Sequence, residues 1–255
     1  MSPVTQVKHY PALPHGVIEE VFEGVWFVQG QIKMPTLLPV KFSRAMTVIK
    51  GDQDELTLIN TMRLSESGLA DLEQLGRVRY VIRIAGFHGR DDAFYRDRYG
   101  AKLYAVEGQE YVRGLGKKNA KPYMEPDVYL NDKSALPIAD AKIKIIPSST
   151  PPEAVILLEK EGGILIAGDS LQHMEKPDRY FNFLAKVMMK KMGFFKACNV
   201  GPGWLKFATP KVSDVRALLD MTFSHVLPCH GDPVIDNARE KYRPAITGEL
   251  DGAQA

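Results

Sequence analysis

A chain of 255 residues in which 45% are hydrophobic can close a sizeable core, and at 25% charged residues its composition is not that of a disordered protein. A formal net charge of +2 gives no reason to expect nucleic acid, so any basic surface must be local. Two cysteines, Cys198 and Cys229, do not make a disulfide framework and fit a reducing compartment. No apolar run reaches the ~18 residues of a membrane span, and "MSPVTQVKHYPALPHG" lacks an apolar segment of signal-peptide length. The expectation is a cytoplasmic protein without stable membrane insertion, acting on a small molecule. Nothing in the pattern speaks to oligomeric state.

Residues 1–16, with prolines at 3, 11 and 14, read as an extended arm, and 17–255 as a single domain. "GVWFVQGQI" alternates apolar and polar residues, as a half-buried strand does. "AMTVIKGDQDELTLIN" reads as a hairpin around Gly-Asp-Gln-Asp. In "SESGLADLEQLG", Ser65 can cap a helix whose apolar face is Leu69, Leu72 and Leu75, and Gly76 can stop it. "VRYVIRI" is a strand, "DDAFYRDRYG" a short helix closed by glycine, and "AKLYAVEG" the next strand. The run from Gly114 to Lys142 reads mainly as loop.

The second half begins with a strand, "AKIKIIPSS", and a second hairpin, "EAVILLEKEGGILIAGDS", turning at Glu161-Gly162-Gly163. "RYFNFLAKVMMKKMGFF" has helical periodicity, and "KVSDVRALLDMTF" is a helix with Ser213 as its expected cap. "HVLPCHGDP" is a strand ending on a histidine, and a helix from about Asn237 closes the chain. Two halves of mixed α and β imply an α/β fold of two sheets packed face to face with helices outside, a four-layer αββα sandwich.

Polar residues at the ends of buried strands are the natural candidates for a site. Three such ends stand out: "RIAGFHGRDD" with His88, Asp91 and Asp92, "IAGDS" with Asp169, and "LPCHGD" with His230. Histidine and aspartate are metal-ligand types, and glycines beside them let the backbone turn sharply. The plainer readings are a turn for Asp169, a core position for His230, and capping of a helix start for Asp91 and Asp92. His9, His15 and His225 read as surface residues, and both cysteines as small core residues. His173 is placed in a loop after Asp169.

Taken in order, these segments resemble the metallo-β-lactamase superfamily, in a branch of uncharacterised members with an incomplete metal motif. "HGRDDAFYRDRYGAKLYA" sits where the family carries its His-x-His-x-Asp-His loop, "IIPSSTPPEAVILLE" where it has a Pro-Gly-His-Thr-Pro segment, "GILIAGDSL" at its strand ending in Gly-Asp, and "VLPCHGDP" at its late strand ending in a ligand histidine. The register of His88–Asp92 against the first motif stays open. Ser149 falls at the place of a ligand histidine, and a hydroxyl is a poor zinc ligand. The resemblance implies a hydrolase with a reduced site. One zinc, iron or manganese ion would be held by His88, Asp91, Asp169 and His230, with Asp92 taking a proton. The same departures equally allow a metal-free chain: a catalytically inactive fold that binds a small molecule or protein, or an enzyme using a histidine base beside Ser149 or Thr150. The "FLAKVMMKKMGFFK" segment reads either as a helix covering a sheet or as a basic lid over the site.

Overall fold

The structure, a computed structural model, describes residues 9–34, 38–112 and 121–248. In its first half, β1 (Glu19–Phe22), β2 (Val25–Lys33), β3 (Lys41–Lys50) and β4 (Glu55–Ile59) pair antiparallel in succession. Helix α1 (Glu66–Leu75) then crosses to β5 (Arg77–Arg83) and α2 (Asp92–Tyr99) to β6 (Lys102–Val106), each strand parallel to its neighbour. A small antiparallel pair, β7 (Tyr111–Val112) and β8 (Pro122–Met124), precedes β9 (Val128–Leu130), which completes a seven-stranded sheet beside β6.

The second half runs β10 (Ala141–Ile146), β11 (Glu153–Leu158), β12 (Ile164–Ile166), β13 (Leu171–Met174), α3 (Phe183–Lys191), β14 (Lys196–Val200), α4 (Pro202–Ala208), α5 (Val212–Arg216), β15 (His225–Leu227) and α6 (Ala238–Gly248). Its four-stranded sheet has the order β10, β11, β12, β15, with β12 and β15 parallel, while β13 and β14 pair separately.

The period-two alternation of the strands builds the layers. Val25 and Phe27 of β2 and Ala45 and Ile49 of β3 face Ala154, Ile156 and Leu158 of β11 in the core between the sheets. Trp26, Val28, Met46 and Val48 point the other way, onto Leu69 and Leu72 of α1 and Phe94 and Tyr95 of α2. On the far side, Val155 and Leu157 of β11 meet Trp204 of α4, Val215 of α5 and Tyr242 and Ile246 of α6. The expected αββα sandwich is therefore the observed architecture.

Local signals place several boundaries. Ser65 caps α1 by accepting the Gly68 amide at 3.2 Å, and Asn182 caps α3 by accepting that of Ala185 at 3.0 Å. Ser213 does not cap α5. It lies inside a five-residue helix that passes into a 3-10 turn, and the helix is pinned by Asp214 accepting the Ser148 amide at 3.2 Å. The final strand stops at Leu227, short of His230. Of the expected loop from Gly114 to Lys142, residues 114–120 lie outside the described residues, and the remainder holds β8, β9 and the first residues of β10. His173 sits in β13 rather than a loop. The arm's described part pairs with β2, through Gln31 N to Pro14 O and Gly16 N to Gln29 O, both at 2.8 Å. His225 is buried, donating from Nε2 to the Glu161 carbonyl at 2.9 Å and accepting the Asp236 amide at Nδ1 at 3.0 Å. Among the described residues no helix is long and apolar enough to cross a membrane.

Candidate metal centre

Three loops leave the same rim of the two sheets. After β5, Asn60 Oδ1 accepts the Ile84 and Ala85 amides at 3.2 and 3.1 Å, and the His88 amide returns to the Ala85 carbonyl at 3.1 Å, which turns His88 inward. Ile166 of β12 and Leu227 of β15 are partners, and Asp169 and His230 each lie three residues beyond that pair. The first of these loops is held by Glu153, whose Oε1 accepts the Ser170 amide at 2.6 Å. A Cβ on Gly168 would stand 2.9 Å from both Ala85 Cβ and the Glu153 carboxyl carbon, so only glycine lets the segments close. The second loop is held by the Ala45 amide on the Cys229 carbonyl at 2.7 Å and by Gly231, at φ +90°.

These loops bring together His88, Asp169, Cys229 and His230, with one donor atom from each lying within 4.8 Å of all the others. The side chains of His88, Asp169 and His230 are only 5, 11 and 7% exposed. His230 Nδ1 faces the Ser43 carbonyl at 2.8 Å. A carbonyl can only accept, so Nδ1 carries the proton and Nε2 of the neutral ring presents a lone pair. That lone pair faces Asp169 Oδ1 at 3.1 Å and His88 Nε2 at 3.4 Å, while His88 Nε2 stands 3.6 Å from Asp169 Oδ2. Acceptors this close need a proton or a cation between them. Asp169 Oδ2 is buried without a hydrogen-bond partner.

Electrostatics sharpen the point. Where a proton rather than a cation lies between these groups, burial would raise the pKa of Asp169, but the facing charge of a protonated His88 and hydrogen bonds from His230 and His88 outweigh it and hold the carboxyl well below the usual range. Burial lowers the pKa of His88, against the pull of Asp169. Burial and then Asp169 push Glu153 well above the ordinary carboxylate range. Burial, then Asp169 and Glu153, likewise push the Cys229 thiol well up.

The donor set fits one metal ion. Around a tetrahedral ion with bonds of ~2.0–2.3 Å, neighbouring donor atoms are roughly 3.3–3.8 Å apart. His88 Nε2 stands 3.4 Å from His230 Nε2 and 3.6 Å from Asp169 Oδ2, within that range, while His230 Nε2 to Asp169 Oδ1 at 3.1 Å falls just below it and Cys229 Sγ to Asp169 Oδ1 at 3.9 Å just above. Two imidazoles, a carboxylate and a thiol suit zinc better than manganese.

The remaining sequence candidates lie outside this cluster. Asp91 is buried against the Arg44 guanidinium, accepts the Arg63 amide at 3.1 Å and faces Arg90 Nε at 3.8 Å. Asp92 accepts from the Thr61 hydroxyl at 2.5 Å and the Tyr111 hydroxyl at 2.8 Å. Ser149 donates to the Pro151 carbonyl at 2.7 Å and accepts the Trp204 indole N–H at 3.1 Å. Cys229 and Glu153 were missed as site residues, because a cysteine and a glutamate bordering apolar runs carry no periodic signal. The available hint was adjacency: Cys229 directly precedes His230, and Glu153 heads β11, the hairpin partner of the strand that leads to Asp169.

Solved structures place this arrangement in a known fold. The chain is similar to VMB-1 (TM-score 0.62, 11% identity, covering 94% of this chain and 100% of that one). It is similar to the metallo-β-lactamase FIM-1 from Pseudomonas aeruginosa in its mono-zinc form (TM-score 0.59, 14% identity, 96% and 98% covered). A metallo-β-lactamase from Hirschia baltica also aligns (TM-score 0.57, 15% identity, 91% and 98% covered). The chain has the metallo-β-lactamase fold. No protein-family model and no curated protein matches it.

Proposed function

We propose that the chain is a metal-dependent hydrolase of the metallo-β-lactamase superfamily with a reduced, mononuclear site, acting on a small-molecule ester, thioester, amide or phosphoester. His88, Asp169 and His230 would hold one ion, zinc before iron or manganese. The observation that carries this reading is the buried Asp169 carboxylate set between two imidazole Nε2 atoms, one of them oriented by the Ser43 carbonyl. A bound ion of this kind lowers the pKa of water and polarises a carbonyl or phosphoryl oxygen. The chain's own residues orient the donors: Ser43 fixes the His230 tautomer, and Glu153 anchors the loop of Asp169 through the Ser170 amide. Asp91 is held by the Arg44 ion pair and Asp92 by the Thr61 and Tyr111 hydroxyls, so neither belongs to the proposed ligand set and Asp92 has no part in moving the proton.

A second reading rests on Cys229. With its thiolate as fourth ligand the ion would be saturated, and the chain would be a non-catalytic binding module with a structural metal. Metal analysis of protein purified without a histidine tag tests the first step: about one equivalent of zinc is expected, falling below a tenth in Asp169→Asn and His230→Ala. Wild-type protein that neither contains nor takes up a transition metal overturns the metal reading. Cys229→Ser separates the two readings, since a hydrolase keeps its zinc and its turnover of a generic ester, whereas a four-ligand structural site loses zinc.

A further inference from the structure

Between Asp178 and Asp214 the chain has no acidic residue and seven basic ones, although its overall formal charge is only +2. Three of the seven lie in α3. One face of the helix is anchored: Ala185 and Met189 are buried, with Leu184, Met188 and Met192, against Val40, Phe42, Phe181 and Phe194. The opposite face is unusual for a solvated helix. Phe183 is 82% exposed and Val187 40%, and with Lys191 they fall at i, i+4 and i+8 on one stripe. Lys186 and Lys190 form the adjoining stripe, and the helix holds no acid to pair with any of the three lysines. Phe207 of α4, within the same acid-free stretch, is 62% exposed.

A solvated face ordinarily carries mixed charges, and hydrophobics exposed singly on it need no explanation. Here an aromatic and an aliphatic side chain are adjacent and framed by unopposed lysines, which is the chemistry of a helix lying in a bilayer interface. Nucleic acid fits less well, because arginine forks and base-edge donors are absent from this face and Val187 has no use there. We propose that the outer face of α3 is a docking surface for an anionic lipid bilayer. Phe183 and Val187 enter the headgroup region, and Lys186, Lys190 and Lys191 meet the anionic headgroups. The inference stands apart from the metal reading, since it needs neither the ion nor turnover.

The test is flotation of the full chain with vesicles of phosphatidylglycerol and of phosphatidylcholine, at low and at high salt. Binding is expected on the anionic vesicles only and is expected to be lost at high salt. The triple variant K186E/K190E/K191E should weaken it at least tenfold, given roughly fivefold per lysine near an anionic surface. Phe183→Ser should weaken it several-fold, and Lys133→Glu, an exposed lysine outside α3, should leave it unchanged. Far-UV circular dichroism confirms that each variant is folded. Absence of binding to anionic vesicles, equal binding to both lipids, or an unaltered triple variant overturns the proposal, as does tighter capture by single-stranded DNA than by vesicles. Repeating the flotation with chelator-treated protein separates this result from that of the metal reading.

Discussion

Asp91 and Arg44 are both almost fully buried and paired with each other. A buried ion pair is costly to break, because the surviving charge is left without a partner in a poorly polarisable interior. Asp91→Ala is expected to lower unfolding stability by about 3–5 kcal/mol in urea titrations, and Arg44→Met with Asp91→Leu to recover most of it. Folded Asp91→Asn protein should still bind one equivalent of zinc, since Asp91 stands outside the donor cluster. The same contrast explains what was legible in sequence. Asp169 and His230 stood out because each follows an apolar run and adjoins a glycine, and the structure sets them 3.1 Å apart. Asp91 and Asp92 carried the same residue-type signal. Which carboxylate meets an arginine and which meets an imidazole depends on β3, some forty-seven residues away from Asp91, and no local pattern encodes that.

Elements are decided by periodicity and by partners. The β2, β3, β5 and β11 strands and α1, α2 and α3 announce themselves through alternation or helical spacing and through caps. The β13 and β14 pair does not, because neither strand alternates cleanly and both depend on distant partners, Leu171 standing opposite Val200 and His173 bridging to Gly231. β9, three residues long, exists only because β6 offers it an edge. The loop after β15 illustrates how one residue can govern a site from within its element. At Gly231 a Cβ would lie 1.8 Å from the His173 carbonyl, in a backbone conformation that L side chains rarely adopt. Gly231→Ala is therefore expected to cost about 2 kcal/mol or more of stability and to weaken zinc binding more than tenfold by displacing His230, read by thermal melting and by zinc titration.

Across the whole molecule, the proposed ligands come from both sheets. His88 follows β5 of the seven-stranded sheet, whereas Asp169 and His230 follow β12 and β15 of the four-stranded one. A shared ion would tie the layers together and stabilise only the folded state. Saturation at a thousandfold excess over Kd is worth about 4 kcal/mol, which calorimetry should register as an upward shift of one cooperative transition. His88→Ala, which removes the sheet-to-sheet tie, should abolish most of that shift. The placing of β15 also sets the timing of assembly. Among the described residues it is the last strand in chain order, and about sixty residues separate Asp169 from His230. An ion held by His88, Asp169 and His230 would therefore gain its last ligand only once synthesis has passed His230.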